Sequence, residues 1–270
     1  MSSLGSRGTA LITGASSGIG AVYADRLARR GYDLILVARN KNKLEELAYQ
    51  LSSQTGRDVE TISADLTNPT DITHLERIIH NHIGLTLLVN NAGVGATRPL
   101  RDSKIDAMTD MITLNITAVT RLTHAAVPGL VKRGHGTIIN ISSIAAIAPE
   151  LLNGVYGGSK AFVLAFSQSL HHELASQGVQ VQAVLPGATA TDFWEFAGLP
   201  LADLTQNVPV MSSDDMVDAA LAGLDQGELV TLPALPNVAD WQAFESARQA
   251  LMPNLSHTCP AARYQLQAIA

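Results

Sequence analysis

The regular alternation of short apolar runs with longer amphipathic segments constrains this chain more than any other feature. Strand-like runs lie near 9–12 (TALI), 33–38 (DLILVA), 58–63 (DVETIS), 86–89 (TLLV), 137–142 (TIINIS), 179–184 (VQVQAV) and 229–232 (LVTL). Helical patterns fall between them, near 18–30, 41–54, 70–81, 103–133, 155–176 and 212–226. Several of the short runs are apolar throughout, which suits strands covered on both faces. Repeated β-α alternation of this kind predicts right-handed crossovers and an α/β fold with a doubly wound parallel sheet of about seven strands. Local punctuation agrees: Asn68-Pro69-Thr70-Asp71 reads as a cap, a first-turn proline and an acid at a helix start, and Gly31 and Gly178 stand where helices should end.

With 270 residues, 46% hydrophobic and 16% charged, the chain can bury one large core, so 1–270 reads as a single domain. A net charge of −6 without a basic stripe argues against a nucleic-acid partner. No run of about 20 apolar residues is present, which argues against a membrane partner. The start carries no apolar leader-type segment, and a single cysteine, Cys259, precludes an internal disulfide framework; both suit a cytoplasmic setting. Seven of the eleven prolines lie from Pro186 onward, and this part reads as elaboration of the same domain. Within it, 193–211 is nearly uncharged and reads as a substrate lid, with Phe193, Trp194 and Phe196 forming either core or an apolar wall. Residues 233–270 form a C-terminal extension with an amphipathic stretch around Trp241–Leu251.

The run Thr13-Gly14-Ala15-Ser16-Ser17-Gly18-Ile19-Gly20 follows the first strand and opens the first helix. Gly14 permits a tight turn, Gly18 lets backbone N–H groups approach a pyrophosphate, and Gly20 lets helix and strand pack closely, while the helix N-terminus attracts phosphate. Where the second strand ends, an NAD enzyme needs a carboxylate for the ribose 2′-hydroxyl. This chain has Ala38 followed by Arg39, so Arg39 is a candidate for the 2′-phosphate of NADP(H), with Ser16, Lys41 or Lys43 assisting; the alternative is a solvated loop charge.

Tyr156 and Lys160 are four apart at the start of a helix and so share one face. A nearby ammonium and a positive nicotinamide ring favour phenolate and so lower the tyrosine pKa. Ser143 ends a strand thirteen residues earlier, at the edge where open parallel sheets bind ligands, and Ser142 should point the other way. The spacing of His80 and His82 does not put two ligands on one helical face, so no metal is expected and His74, His80 and His82 read as surface residues.

Taken together, TGASSGIG (13–20), Asp65, NNAG (90–93), Asn115, ISS (141–143), YGGSK (156–160) and Pro186-Gly187 with Thr189 and Thr191 resemble the short-chain dehydrogenase/reductase family. The resemblance spans about two thirds of the chain and fades beyond Phe193. It implies a Rossmann sheet in the order 3-2-1-4-5-6-7 and an NADP(H)-dependent enzyme acting on a small-molecule carbonyl or alcohol. Tyr156 would be the general acid or base, Ser143 would hold the substrate oxygen, Lys160 would hold the ribose and lower the Tyr156 pKa, and Asn115 would anchor a relay water. Cofactor contacts would come from Gly14, Ser16, Ser17, Gly18, Ile19, Gly20 and Arg39. Asp65 (meeting the adenine edge, unless it is only a turn-forming acid), Leu66, Asn91, Ala92, Gly93, Tyr156, Lys160, Pro186, Gly187, Thr189 and Thr191 would complete them. The helices near 103–133 and 155–176 resemble those that pair subunits, implying a homodimer or homotetramer. A nucleotide-binding sensor without turnover would not need Tyr156, Lys160, Ser143 and Asn115 together, and a sugar-nucleotide epimerase would need a larger C-terminal domain.

Overall fold

The computed structural model describes residues 7–206 and 208–264; the amino-terminal stretch that reads as lacking a leader lies largely outside them, as do the last six residues. Seven parallel strands form one sheet in the order β3-β2-β1-β4-β5-β6-β7: β1 Thr9–Thr13, β2 Asp33–Ala38, β3 Val59–Ser63, β4 Leu85–Asn90, β5 Gly136–Ile141, β6 Val179–Val184 and β7 Val230–Thr231. Strand alternation sorts the apolar runs onto two faces. Ala10, Ile12, Leu34, Leu36, Val89 and Ile139 meet α1 (Gly18–Arg29), α2 (Lys41–Thr55) and α9 (Ser213–Asp225). Leu11, Ile35, Val37, Leu88 and Ile138 meet α3 (Pro69–Asn81), α5 (Val119–Arg133) and α6 (Gly154–Leu174). Period-two geometry makes both faces apolar, which a sheet covered on both sides requires.

Helix ends follow their side chains. Asn68 accepts from Thr70 N (2.8 Å) ahead of Pro69, and Asn40 accepts from Lys43 N (3.1 Å). Gly31 (φ 96°) and Gly178 (φ 77°) end their helices in the left-handed region, as expected.

The segment 103–133 differs from a continuous α-helix. It is α4 (Ile105–Ile112), a π-turn (Thr113–Ala118) and α5. Beyond β6 come two short helices, α7 (Phe193–Ala197) and α8 (Leu201–Leu204), before α9. Contacts divide the chain after Ala234. The second unit holds α10 (Val238–Ala250), which covers the expected amphipathic stretch and buries none of its residues. Among the described residues no helix is long and apolar enough to cross a membrane.

Candidate active site

The glycine turn is built by close contact. β1 ends at Thr13, whose Oγ1 accepts from Asn91 N and Ala92 N (3.0 Å each). The Asn91 side chain donates to Thr13 O (2.8 Å) and Gly14 O (3.3 Å), so it braces the turn from below. A Cβ on Gly20 would collide with Gly14 O and lie 2.6 Å from Asn91 Nδ2. On Gly14 (φ 67°) it would lie 2.8 Å from the same nitrogen, and on Gly18 (φ 53°) 2.9 Å from Thr191 Cγ2. Three chain segments thus converge where only glycine fits. Ser17 precedes α1 in extended conformation without a side-chain capping bond, and no acid occupies the first turn. That leaves a positive helix end open for an anion. Ser16 and Ile19 are half-buried nearby, Ile19 against the core.

At the end of β2, Ala38 is buried and Arg39 is exposed, with no ion pair among the described residues. Ser63 Oγ donates to Arg39 O (3.1 Å). Asp65 Oδ1 accepts from Thr67 N (2.9 Å) and Thr67 Oγ1 (2.7 Å). These bonds, and the charge of Arg39, hold its carboxyl below the usual range. The turn-forming reading of Asp65 is therefore present in its geometry. Leu66 is buried in the core, which leaves only its backbone for a cleft. Lys41 approaches Glu45 at 3.6 Å.

Tyr156 and Lys160 lie on adjacent turns of α6, both buried. Lys160 Nζ donates to Ile141 O (3.0 Å) and stands 5.7 Å from the centroid of the Tyr156 ring. Ser143 Oγ accepts from Ala145 N (3.1 Å) and is hydrogen-bonded to the Tyr156 phenol. Ser142 Oγ donates instead to Lys160 O (2.7 Å), pinning the helix to the strand end. Burial pushes the Tyr156 phenol up to about 12, against the pull of the Ser143 bond. Burial also lowers Lys160 to about 8. The expected lowering of Tyr156 by Lys160 therefore does not set its state in the free protein: desolvation wins, and the phenol keeps its proton at neutral pH.

Asn115 sits in the π-turn. Its Oδ1 accepts from Val94 N (3.0 Å), and its Nδ2 donates to Val94 O (2.9 Å) and Ser159 Oγ (3.0 Å). Both amide hydrogens are committed, and Oδ1 already accepts one bond. A Cβ on Gly93 would come within 3.4 Å of Lys160 Nζ. Pro186 O accepts from Ile144 N (3.0 Å), and Thr189 Oγ1 donates to Gly187 O (3.2 Å).

An apolar cluster surrounds the phenol: Met108 and Met111 from α4, Ala145, and the partly buried Val94, Leu152 and Phe193. The Phe193 ring lies 5.8 Å from that of Tyr156. The three aromatics of α7 part ways: Phe193 lines the cluster, Trp194 is buried with Nε1 donating to Thr189 O (2.8 Å), and Phe196 is 76% exposed and belongs to neither core nor wall.

The short chain dehydrogenase family model matches residues 8–198. The chain belongs to that family. A short-chain dehydrogenase from Sphingobium yanoikuyae in complex with NADPH superimposes with a TM-score of 0.92 at 46% identity, covering 95% of this chain and all of that one. The bulky-bulky ketone specific alcohol dehydrogenase from Comamonas testosteroni follows at 0.87 and 41%, covering 96% and 99%. Among curated relatives, an uncharacterized oxidoreductase of Staphylococcus epidermidis is 36% identical over 69% of this chain and 80% of its own. A very-long-chain 3-oxoacyl-CoA reductase of Anas platyrhynchos is 39% identical over 67% of this chain, which spans 60% of that protein. This short-chain dehydrogenase is thus an NAD(P)-dependent oxidoreductase of the CH–OH/C=O class.

Two positioning residues of the short-chain dehydrogenase escaped the sequence reading. Asn153 caps α6, accepting from Val155 N (2.9 Å), and donates to Arg98 O (2.7 Å). Ser159 receives Asn115 and donates to Tyr156 O (2.8 Å). A helix-start asparagine was the available signal for the first; a serine inside a helix gives none.

Proposed function

We propose that this short-chain dehydrogenase uses NADPH to reduce apolar ketones to secondary alcohols. The observation that carries the reading is the buried Tyr156 phenol beside Ser143, packed in one apolar cluster with Met108, Met111 and Phe193. The glycine turn fits a dinucleotide, because at its three glycines the chain packs too closely for a Cβ and brings the α1 N-terminus up to the cleft. Gly14 through Gly20 would take the pyrophosphate, Arg39 the 2′-phosphate, and Asp65, Ala92 and Gly93 the adenosine side. Lys160 would hold the ribose, and Thr189 and Thr191 the nicotinamide end. When bound, the reduced nicotinamide supplies the hydride for the carbonyl carbon. Ser143 donates a hydrogen bond to the carbonyl oxygen, and Tyr156 Oη transfers its proton there, leaving a neutral alcohol.

Support for ketones over 3-oxoacyl thioesters comes from extent of likeness: the ketone-specific enzyme matches along 99% of its length, the acyl-CoA reductase along 60%. Arg39, with no ion pair among the described residues and with Ala38 where a carboxylate would hold a 2′-hydroxyl, supports NADPH over NADH. Stacked Phe162 and Phe166 (5.7 Å) give α6 an aromatic outer face suited to a homodimer or homotetramer, and the free exposed Cys259 suits a cytoplasmic setting.

NADPH consumption with a panel of aryl ketones, aldehydes, 3-oxoacyl thioesters and polar keto sugars tests the reading. Aryl ketones should be turned over fastest. Tyr156→Phe should lower kcat by about 10²–10⁴ while the NADPH Kd stays within a few-fold. Turnover of polar sugars alone would overturn the substrate class, and an active Tyr156→Phe would overturn the proton donor.

A further inference from the structure

The loop after β4 contains a glycine whose need is spatial. Gly95 lies outside the left-handed region, so its backbone suits any residue. Yet a Cβ there would run into Phe193 Cζ and lie 2.9 Å from Cε2 and 3.2 Å from Cε1. The ring is thus seated on bare backbone. Its seat is braced from three sides. Trp194 meets Phe193 edge-on (5.3 Å, 88°) and is itself tied to Thr189 O. Thr97 donates to Ala197 O through both N (3.1 Å) and Oγ1 (2.9 Å), strapping the far end of α7 to the same loop. Asn153 ties the loop to the catalytic helix, with its N donating to Ala96 O (3.2 Å) and its Nδ2 to Arg98 O. The gap between Phe193 and Tyr156 is therefore set by how far the ring sinks onto Gly95.

We infer that Gly95 and Phe193 form the size filter of the ketone site, with Gly95 parking the ring so that ketones bearing two bulky substituents fit over Tyr156. The inference rests on the carbonyl-reductase reading and concerns this pair's own geometry. An added methyl at residue 95 drives the ring toward the phenol and narrows the site; removal of the ring makes residue 95 irrelevant.

The test compares a diaryl ketone with an aryl methyl ketone in wild type, Gly95→Ala, Phe193→Ala and the double variant, reading the ratio of their kcat/KM values. A group in an apolar pocket changes such ratios by about 10–200-fold. Gly95→Ala should lower the diaryl/methyl ratio at least about tenfold, and Phe193→Ala should keep or raise it. In the double variant the ratio should return to that of Phe193→Ala, since direct contacts are non-additive. If Gly95→Ala slows both ketones equally, or its loss persists without the ring, the filter is overturned. Should Gly95→Ala not fold, recovery of fold and ratio in the double variant still supports the contact, and failure of both overturns it. Turnover of neither ketone by NADPH-bound wild type would count against the reductase reading, not the filter. Calorimetric Kd values of the same ketones on the four NADPH complexes then decide the filter by the same ordering.

Discussion

The two ends of the active site are made by opposite means. At the proposed cofactor end, the fold depends on missing atoms: Gly14, Gly18 and Gly20 leave room for Asn91, Thr191 and the turn's own backbone to close in. At the substrate end, function depends on atoms brought in from α4, the 94–98 loop, the start of α6 and α7. The first end tolerates no change of backbone and leaves little to vary. The second can change its pocket one side chain at a time on an unchanged frame. A shared reaction with diverse substrates follows from that division.

The sharpest way to break the contrast is Gly20→Ala. The new methyl would collide with Gly14 O, a main-chain atom that cannot move alone. NADPH affinity should fall on the order of 100-fold, the upper part of the ~1–3 kcal/mol cost of overpacking. Fluorescence titration checks it; near-normal binding would mean the turn flexes and the contrast is wrong. Next is Arg39→Ala, which removes a side chain from the backbone-built end. Loss of one charge-assisted bond, ~1.5–3 kcal/mol, should weaken NADPH about 10- to 150-fold and leave NADH unchanged. Equal weakening of both cofactors would make Arg39 a loop support.

Lys160 stands where the two ends meet, and its burial has a pH signature. Its folded pKa of about 8 lies below the ordinary value of 10.5, so between them the unfolded chain binds more protons. Stability from this residue therefore rises as pH goes from 8 toward 10, on the order of 2 kcal/mol. Urea midpoints at pH 8 and 10 should rise for wild type relative to Lys160→Met, which cannot titrate. An identical pH response in both proteins would show that Lys160 is solvated. The smallest effect concerns Tyr23 on α1, a wholly buried phenol whose hydroxyl has no partner among the described residues. Tyr23→Phe should raise stability by about 1 kcal/mol in denaturant melts, because it removes an unsatisfied polar atom. A loss of stability would reveal a bond to that hydroxyl.

Legibility in the sequence followed the same division. Features that are local and covalent were plain: seven apolar runs, capping asparagines, glycine spacing, and the tyrosine-lysine pair. What depended on burial was hidden. Lys160 and a bound nicotinamide ring suggest a lowered phenol pKa, whereas in the free protein desolvation of the packed site raises it. Asp65 read as an adenine contact or a turn-forming acid, and only the folded geometry shows Oδ1 engaged by Thr67. Five consecutive lid residues gave no way to separate buried Trp194 from exposed Phe196, because a helix barely over one turn long has no period to read. Asn153 and Ser159 act through partners distant in sequence, and spacing carries no trace of them.

The π-turn at Thr113–Ala118 gives one helical stretch two phases. Met108, Met111, Asn115, Ala118 and Leu122 keep a spacing of three and four that reads as a single stripe. The wider turn rotates the first part of the stripe against the second, so Met108 and Met111 face the phenol while Leu122 and Leu130 face the sheet. Each residue in an α-helix advances the face by about 100°. Deleting one residue from the turn would bring the halves into step and swing both methionines off the pocket without touching the sheet. That single surplus residue works as a gear offset: the anchoring half and the lining half can each be remodelled without retiming the other.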